Sequence, residues 1–459
     1  MPPRKSQSKS PEKQVSPFWT LQVEGLGKVK SANIRMAPLV LLVGKNNTGK
    51  SQIASLIWGI MNARNELSYR SLKDIQVPEW FISALYSGCE ELKDVDININ
   101  EDIIRDISRD VNRILKDRKN DFVRKLLSYE DVSVSKLGIK FESDFYINKI
   151  RSCASSGPGT LFKWTADPDD VSKIMFSTGM RRKDGDGTFE VFLYIHFLYG
   201  VLSGGSTVVR QETDAIYIPA ARTGLMLSFG SLVSGLLGSL GLRDTPKVGR
   251  FSAPTVRFLQ VMNSSDRNKE PALSRIALDL ERGVLGGSIV SKNEETKSFS
   301  YVTSDGALDL PLHVTSSMVT ELAPFLMLLR SGALGAGLVF EEPEAHLHLS
   351  AQREIAKAIV RLVNLGIPVV VTTHSDTFIQ QINLLMQIYS HEKSNSLSRA
   401  FGYKAAEILD PSKARAYEFV CEGGETQVIE LEKSTGGFVV PSLNDPLESL
   451  LKEVVELSQ

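Results

Sequence analysis

The sequence predicts an α/β fold, a mixed sheet flanked by helices, and three short apolar runs are the basis of this prediction. The first run, residues 39–43, stops at a glycine and leads into apolar residues at helical spacing. The second, residues 338–340, ends in acidic residues, and the third, residues 367–371, ends in Thr-Thr-His. Uniformly apolar runs of this length are typical of strands that are buried on both faces of a sheet. A predicted hairpin, from residues 18–24 and 29–36, adds antiparallel strands beside the first run.

The stretch after the first run has the pattern of a phosphate-binding P-loop, Gly-x-x-x-x-Gly-Lys-Ser. The glycines let the backbone fold tightly, so that its N–H groups point at phosphate oxygens, and the following helix adds its positive end. In such a loop the lysine reaches the β- and γ-phosphates and the serine hydroxyl ligates Mg²⁺. The order of strand, loop and helix favours this motif over a chance glycine turn. The candidate nucleotide-binding residues are Gly44, Asn46, Asn47, Thr48, Gly49, Lys50, Ser51 and Gln52.

Length and composition limit the other possibilities. The chain has 459 residues, enough for about two to three domains or for one large domain with insertions. Its formal charge of −1 gives no overall attraction to nucleic acid, so any such contact needs a local basic patch. The three cysteines are scattered, which indicates a reducing compartment without a disulfide framework. The first residues are polar and rich in Pro and Ser, so we expect no secretory signal and a cytoplasmic protein.

Residues 65–209 have the pattern of a largely helical insertion. Within it, residues 101–127 are highly charged, yet the apolar residues between Ile103 and Leu115 fall on one helical face. Because the charges alternate in sign, we expect a solvent-exposed helix or a short coiled-coil arm, and the favoured surface for oligomerisation or for a partner. A basic cluster, residues 181–183, is either a solvated loop tip or a contact for a phosphate backbone.

Two features near the middle of the chain allow more than one interpretation. Residues 224–242 carry no charge and are long enough to cross a bilayer, but their many Gly and Ser residues favour a buried or partner-facing helix. Arg222 follows a predicted strand, residues 215–218, at the end where ligands of α/β proteins usually bind. A ligand contact and an ordinary surface ion pair are equally compatible with this arginine.

The acids after the second run and the histidine after the third complete a candidate catalytic site. Glu341 is placed to hold the Mg²⁺ shell, and Glu342, one residue on, to orient the attacking water. Two adjacent carboxylates at the end of a buried run are costly without a cation, which favours a functional role. His374 is the candidate contact for the γ-phosphate and the water. His346 and His348 suggest a metal site, but their surroundings favour a loop that enters a helix.

Four motifs together resemble one group of ATPases. They are GKNNTGKS, SSMVTELAP, LVFEEPEAHLHLSAQ and VVVTTHS, and they lie within residues 18–64 and 210–440. In this combination they are similar to the ABC-type ATPase heads of the structural-maintenance (SMC), RecF and overcoming-lysogenization-defect (OLD) group, AAA_15 ATPases included. The resemblance implies an ABC-type P-loop ATPase head with an antiparallel β subdomain, which binds ATP and Mg²⁺ between two copies of the chain.

The resemblance assigns a role between the two copies to Ser316 and Ser317. They begin the predicted helix of residues 320–329 and would reach a γ-phosphate bound by the other copy. Two departures from the family pattern bear on hydrolysis, Met318 in place of a common glycine and Glu341 in place of the usual aspartate. They lead us to expect slow ATP hydrolysis. No glutamine of the chain is a convincing Q-loop residue.

Five segments follow from the resemblance and the composition. They are a disordered basic tail (residues 1–16), an N-terminal lobe of the head with the P-loop (17–64), the insertion (65–209), a C-terminal lobe with the remaining motifs (210–440) and a C-terminal helix (441–459) that we expect to begin at Pro446. The segment after His374 is too short for the TOPRIM nuclease domain of the OLD proteins. The chain therefore resembles stand-alone ATPase subunits of anti-phage systems, PARIS-type subunits (AriA) first and Septu-type subunits second.

The leading hypothesis is thus an ATP-hydrolysing subunit of a two-component anti-phage system. The resemblance implies a homo-oligomer, without membrane association, that senses a phage protein or DNA and controls a separately encoded nuclease of the TOPRIM or HNH type. The alternative is a DNA-repair ATPase of the RecF or SMC kind, in which ATP gates salt-dependent DNA binding. A third hypothesis is a nucleotide-bound scaffold with negligible turnover.

Overall fold

The computed structural model of the chain describes residues 19–63, 75–83, 95–98, 101–141, 149–155, 172–177, 188–203, 214–232, 251–264, 270–292, 298–334 and 337–457. Its strands are β1 (Trp19–Leu26), β2 (Val29–Arg35), β3 (Leu39–Gly44), β4 (Val95–Asn98), β5 (Lys136–Phe141), β6 (Lys149–Ser155), β7 (Ser172–Ser177), β8 (Ile216–Ile218), β9 (Gly287–Lys292), β10 (Ser298–Thr303), β11 (Asp309–Pro311), β12 (Leu338–Glu341), β13 (Val369–Thr373), β14 (Ala414–Glu422), β15 (Glu425–Glu430), β16 (Lys433–Ser434) and β17 (Gly437–Phe438). Its helices are α1 (Lys50–Met61), α2 (Glu101–Leu127), α3 (Thr188–Ser203), α4 (Arg222–Leu227), α5 (Ala253–Ser264), α6 (Pro271–Leu280), α7 (Ser317–Ser331), α8 (Leu349–Asn364), α9 (Asp376–Ser390), α10 (Ser394–Ala400) and α11 (Pro441–Leu457).

One mixed sheet organises the molecule. Among the described residues it has nine strands in the order β5-β1-β2-β15-β14-β3-β13-β12-β8. Within the part of the sheet from β14 to β8, each pair of adjacent strands is parallel. On the other side, β14 pairs antiparallel with β15, and β1 pairs antiparallel with β2 and β5. The apolar sequence of β3 explains its central place, because all six of its residues are buried.

Helices cover both faces of this sheet, because successive residues of a strand point to opposite sides. In β3, Val40 and Leu42 pack on one side with α1, α2 and α3, and Leu39, Leu41 and Val43 pack on the other side with helices α4 to α9. A second, antiparallel sheet is formed by β9, β10 and β11. The predicted α/β class, with a mixed sheet, flanking helices and an antiparallel β subdomain, is confirmed.

Helix α2 belongs to the body of the molecule. Its apolar face, which includes Ile107, Val111 and Leu115, is buried, and the helix packs against β5 and α1. Strand β5 itself extends the main sheet by pairing with β1. Its charged side chains, apart from the buried Asp110, are exposed or half-buried on the outer face, so the helix fits the expected solvent-exposed helix and not a separate coiled-coil arm. The limits of the five predicted segments stay a prediction.

Helix α11 begins five residues earlier than expected, at Pro441 instead of Pro446. Proline suits the first position of a helix, because the N–H that it lacks has no partner within the helix there. The motif after β12 also has the expected structure, a loop that enters helix α8, with the side chain of His348 accepting from the Ser350 amide.

The uncharged stretch is described as far as residue 232. In this part Leu225, Met226 and Phe229 are buried in the core, which fits the buried alternative. No helix within the described ranges combines the length and the apolar content that crossing a membrane requires. Residues 1–16, 181–183 and 233–242 lie outside the description.

Candidate nucleotide-binding site

The loop between β3 and α1 adopts a backbone that favours glycine at two positions. Gly44 has a φ of +136°, and a Cβ there would lie 2.8 Å from the carbonyl oxygen of Phe419 on β14. Gly49 has a φ of +93°, and a Cβ there would lie 2.5 Å from Cγ2 of Val29. Asn47, with a φ of +60°, is of a residue type that tolerates the left-handed region. Such consecutive turns are how a P-loop presents its N–H groups to phosphate.

Lys50 lies across this loop. Its ammonium donates hydrogen bonds to two loop carbonyl oxygens, 2.8 and 2.7 Å away, and the side chain is buried. Burial lowers the pKa of Lys50, and the charges of Glu342, Glu344 and Glu341 oppose this shift. The lysine therefore shares an electrostatic environment with the acids that follow β12.

The start of α1 presents polar groups beside this lysine. Among the described residues no side chain caps the helix, and its first turn holds no acid. First-turn N–H groups lack partners within the helix, and the helix dipole attracts anions there. Asn46, Asn47 and Ser51 are exposed and Gln52 is half-buried, whereas the buried Thr48 hydroxyl donates to a loop carbonyl at 2.9 Å. The Ser51 hydroxyl is thus accessible to a ligand.

Three adjacent parallel strands end at the same edge of the sheet. Strand β13 lies between β3 and β12, with Thr373 paired to Val43 and Thr372 paired to Glu341. Consequently the P-loop, the acids after β12 and His374 after β13 meet at this edge. The structure brings together three motifs that are far apart in the sequence.

Glu341 ends β12 with a buried carboxylate. Its Oε2 accepts a hydrogen bond from the Ala220 amide at 3.1 Å, whereas its buried Oε1 makes no hydrogen bond within the described residues. The Tyr217 hydroxyl is near, and burial first and the charge of Glu341 second raise the pKa of this tyrosine. A buried carboxylate oxygen without a partner is costly, and a bound cation would remove that cost.

Glu342 stands in a strained conformation at the mouth of the site. Its φ is +43°, which is uncommon for a residue with a side chain, and its amide donates to the Thr372 carbonyl at 2.8 Å. Its carboxylate Oε1 lies 3.6 Å from Nδ1 of His374, and both side chains are partly exposed. Strained backbone of this kind often accompanies function.

Glu344 is a site residue that we did not predict. Its buried Oε1 accepts hydrogen bonds from the Thr373 hydroxyl at 2.7 Å and from the His374 amide at 2.9 Å. Nδ1 of His374 lies 3.9 Å from the same oxygen. Glu344 therefore fixes the end of β13 from which His374 projects. The only sequence signal was a third acid close to the other two.

Ser316 and Ser317 are not part of this cluster. Both are exposed at the start of α7, which packs on α6 and α4, on the face of the sheet opposite α1. Within the described residues neither serine side chain forms a hydrogen bond with the P-loop of its own chain, and their predicted contact with the other copy stays a prediction.

The structure contradicts both interpretations that the sequence allowed for Arg222, a ligand contact and a surface ion pair. The side chain is fully buried, so it is neither a surface ion pair nor a ligand contact. Its guanidinium pairs with the Glu321 carboxylate, with 2.6 Å between Nη2 and Oε1, and donates to the carbonyl oxygens of Glu341 and Glu342 at 2.8 and 2.9 Å. It also lies over the Phe340 ring, 5.0 Å from its centre.

Gln352 and His348 have structural contacts. Gln352 donates to the Leu347 carbonyl at 3.0 Å and accepts from the Ser375 hydroxyl at 2.6 Å, so it joins the loop after β12 to the start of α9. Throughout the described ranges, no three His, Cys, Asp or Glu side chains are arranged to hold a metal ion by themselves. A cation near Glu341 would thus need ligands from the Ser51 hydroxyl, phosphate oxygens and water.

These features define an α/β protein with a P-loop nucleotide-binding site. Residues 254–380 match the model of a family described as "AAA domain, putative AbiEii toxin, Type IV TA system". The matched region contains Ser316, Ser317, Glu341, Glu342 and His374, and the P-loop precedes it. A search of curated proteins finds no match to the sequence.

Solved structures with a similar fold include SMC heads and an ABC ATPase. One is the Smc head bound to the C-winged helix domain of ScpA, with a TM-score of 0.37, 12% identity, and coverage of 91% of this chain and 98% of that one. A second is the Smc head with an extended coiled coil bound to the C-terminal domain of ScpA, from Pyrococcus furiosus, with a TM-score of 0.36, 12% identity, and coverage of 96% and 99%. A third is the ATP-binding cassette of an ABC transporter in its ADP conformation, with a TM-score of 0.32, 10% identity, and coverage of 95% and 96%.

Proposed function

We propose that the chain binds ATP with Mg²⁺ and hydrolyses it slowly. The observation that supports this function is the meeting of Lys50, Glu341, Glu342 and His374 at one edge of the sheet. A P-loop alone can bind phosphate, but hydrolysis also needs groups that orient water and stabilise charge on the γ-phosphate. The acids and the histidine supply groups of both kinds.

Each residue then has a distinct task. The loop amides and the ammonium of Lys50 bind the phosphates, while Ser51 and the free oxygen of Glu341 hold Mg²⁺, which neutralises phosphate charge when bound. Glu342 orients the attacking water and accepts its proton. His374, kept in place by Glu344, donates a hydrogen bond to the γ-phosphate. Glu341 is one atom longer than the usual aspartate, which is consistent with slow turnover.

The site is completed by a second copy of the chain. Ser316 and Ser317 are exposed at the start of α7, which no side chain caps within the described residues, as a residue pair that serves another copy would be. The start of α7 offers backbone N–H groups to a phosphate in the same way as the start of α1. This arrangement supports a homodimer or larger oligomer with shared ATP sites.

In the cell, we place this ATPase in a cytoplasmic two-component defence system. The description of the family model that matches residues 254–380 names a putative toxin of a toxin–antitoxin system, which supports a role in controlled toxicity. On this proposal the oligomer senses a phage protein or DNA and restrains or releases a separately encoded nuclease of the TOPRIM or HNH type. Subunits of the PARIS type are the first candidates and those of the Septu type the second.

Calorimetry and phosphate release test the enzymatic proposal. The wild-type protein with Mg²⁺ is expected to bind ATP and release phosphate, Lys50→Ala to lose binding, and Glu342→Gln to bind ATP but to lose about 10²-fold or more in turnover. Lys433→Ala, remote from the P-loop, is the matched lysine control. Absence of ATP uptake by the wild type would overturn the proposal, and binding without turnover would leave only a nucleotide-bound scaffold.

Two further measurements separate the cellular roles. Phage plating on cells that express the chain with its neighbouring gene should show protection that Lys50→Ala abolishes. Salt-dependent DNA binding that requires ATP, together with no protection, would instead support the DNA-repair alternative.

A further inference from the structure

Arg222 is the largest charged side chain in the core next to the candidate site. Neither Arg222 nor its partner Glu321 has any exposed side-chain surface. Besides the ion pair, the guanidinium donates to the Pro219 carbonyl at 3.2 Å and to the Glu321 carbonyl at 3.2 Å. The Thr223 hydroxyl donates to the same glutamate. The arginine therefore has a full set of partners and occupies one fixed position.

The guanidinium also donates to the two backbone carbonyls on either side of the Cα of Glu342, the residue that carries the proposed catalytic carboxylate. The carbonyl of Glu341 belongs to the peptide group before Glu342, and the carbonyl of Glu342 belongs to the peptide group after it. Hydrogen bonds to both oxygens therefore restrict the rotation of the Glu342 backbone. With a φ of +43°, Glu342 occupies a region that residues with side chains rarely adopt. Such a conformation persists only where its surroundings stabilise it. Here the two hydrogen bonds from the guanidinium stabilise it.

The other side of the arginine is attached to the helix that begins with the two serines. Glu321 lies four residues after Ser317, about one helical turn into α7. Helices α4 and α7 pack on each other, and the ion pair that joins them within the described residues is that of Arg222 with Glu321. A shift of the start of α7 would therefore pull on the guanidinium.

A merely stabilising role is a weak explanation for this pair. Burying two charges costs as much as their attraction returns in many proteins, and apolar residues of similar volume often serve equally well. An apolar side chain could fill the space between Phe340 and α7, but it could not donate to two successive carbonyls.

We propose that Arg222 is a positioning residue that holds Glu342 in its left-handed conformation and, through Glu321, links the Ser316–Ser317 end of α7 to the proposed catalytic carboxylate. The link to hydrolysis rests on the proposed ATPase function. The hold on the backbone does not depend on it. When a phosphate bound by a second copy contacts the start of α7 and shifts this helix, the guanidinium of Arg222 transmits the shift to Glu342.

The test compares Arg222→Lys with Arg361→Lys, a matched control. Arg361 on α8 is also largely buried and paired with an acid, Asp279, at 2.6 Å, but it lies outside the candidate site. Lysine keeps the charge of Arg222 yet cannot donate to both carbonyls and the carboxylate in one plane. We expect Arg222→Lys to lower kcat about 10²-fold, since small misplacements of a reacting group have effects of this size. ATP affinity should change less than about threefold, and the control should change neither quantity.

A double variant distinguishes positioning from general destabilisation. If Arg222 acts through Glu342, adding Arg222→Lys to Glu342→Gln lowers the residual rate no further, whereas independent effects multiply. A multiplied loss would overturn the proposal.

Hydrogen exchange tests the same idea without turnover. In the protein without nucleotide, Arg222→Lys should speed amide exchange in the peptide around residues 340–347 and leave β3 and α8 unchanged. Unchanged exchange in that peptide would overturn the proposal even if the ATPase function holds, and a wild type that does not hydrolyse ATP would overturn only the catalytic link. If Arg222→Lys fails to fold, Glu321→Gln, which keeps the shape of the partner, is measured in the same two ways with the same expected directions.

Discussion

Replacing Glu344 by alanine should destabilise the protein more than replacing either neighbouring glutamate. Its buried carboxylate accepts two hydrogen bonds, from the Thr373 hydroxyl at 2.7 Å and the His374 amide at 2.9 Å. A hydrogen bond to a charged group contributes about 1.5–3 kcal/mol, so the two together suggest a loss of about 3–6 kcal/mol. Part of this loss is the penalty of leaving the fully buried Thr373 hydroxyl without an acceptor.

Two further variants at the same strand end calibrate this value. Glu344→Gln keeps one acceptor oxygen and the shape of the side chain, so we expect a loss of about 1–2 kcal/mol. Glu342→Ala removes a partly exposed carboxylate whose contact with His374 is 3.6 Å long, so its loss should stay below about 1 kcal/mol.

Denaturant unfolding at pH 7, followed by tryptophan fluorescence without nucleotide, provides the comparison through the transition midpoints. On the proposed function, the same variants should also differ in phosphate release, since a loosened His374 would no longer contact the γ-phosphate. Equal midpoints for Glu344→Ala and Glu342→Ala would refute the reasoning, because Glu344 would then be shown not to anchor the end of β13.

Three other changes have defined outcomes. Gly44→Ala places a Cβ 2.8 Å from the Phe419 carbonyl at a φ of +136°, so we expect a loss of at least about 2 kcal/mol by denaturant midpoint, together with loss of ATP binding by calorimetry. Tyr194→Phe removes the hydroxyl that donates to the buried Asp110 at 2.9 Å, and should cost about 1–2 kcal/mol in the same assay. For Asp279, burial alone would raise the pKa, but hydrogen bonds from its two cationic partners outweigh burial and lower the pKa. Its contribution is therefore present above its unfolded pKa of about 3.9 and is lost as the pH falls through the lower folded value, so Asp279→Asn should flatten the acid limb of a Tm–pH curve.

The central strands could be predicted because their sequences are locally unambiguous. Strand β3 is apolar throughout, β12 is apolar up to Glu341 and β13 up to Thr372, and each apolar run is followed by a residue type with a chemical use. Helix α2 was harder, because alternating charges on its outer face suggested an arm. Only the partner surface, β5 and α1, decides that its apolar face is buried. A helical pattern shows which face is apolar but not what covers that face.

The residues of the candidate site, too, were predictable from the sequence only in part. The P-loop, Glu341, Glu342 and His374 have motifs, and the structure brings these residues to one edge of the sheet. Arg222 has none, and Glu344 lies within a motif that assigned it no role, because the roles of both depend on partners that are close only in space. Glu321, for example, lies 99 residues from the arginine that it pairs with. Isolated charged residues of this kind carry no periodic or spacing signal.

The place of β3 in the sheet has a consequence for how the molecule is made. This strand is synthesised early, yet the strands on both its sides, β13 and β14, belong to the last quarter of the chain. A ribosome must therefore deliver most of the polypeptide before the support of the phosphate loop is complete. Contacts of such long sequence separation form slowly and leave apolar segments uncovered in the meantime. Nascent chains that end before β13 are expected to depend on chaperones, and the proposed ATP site is complete only after β13 and β14 have been synthesised.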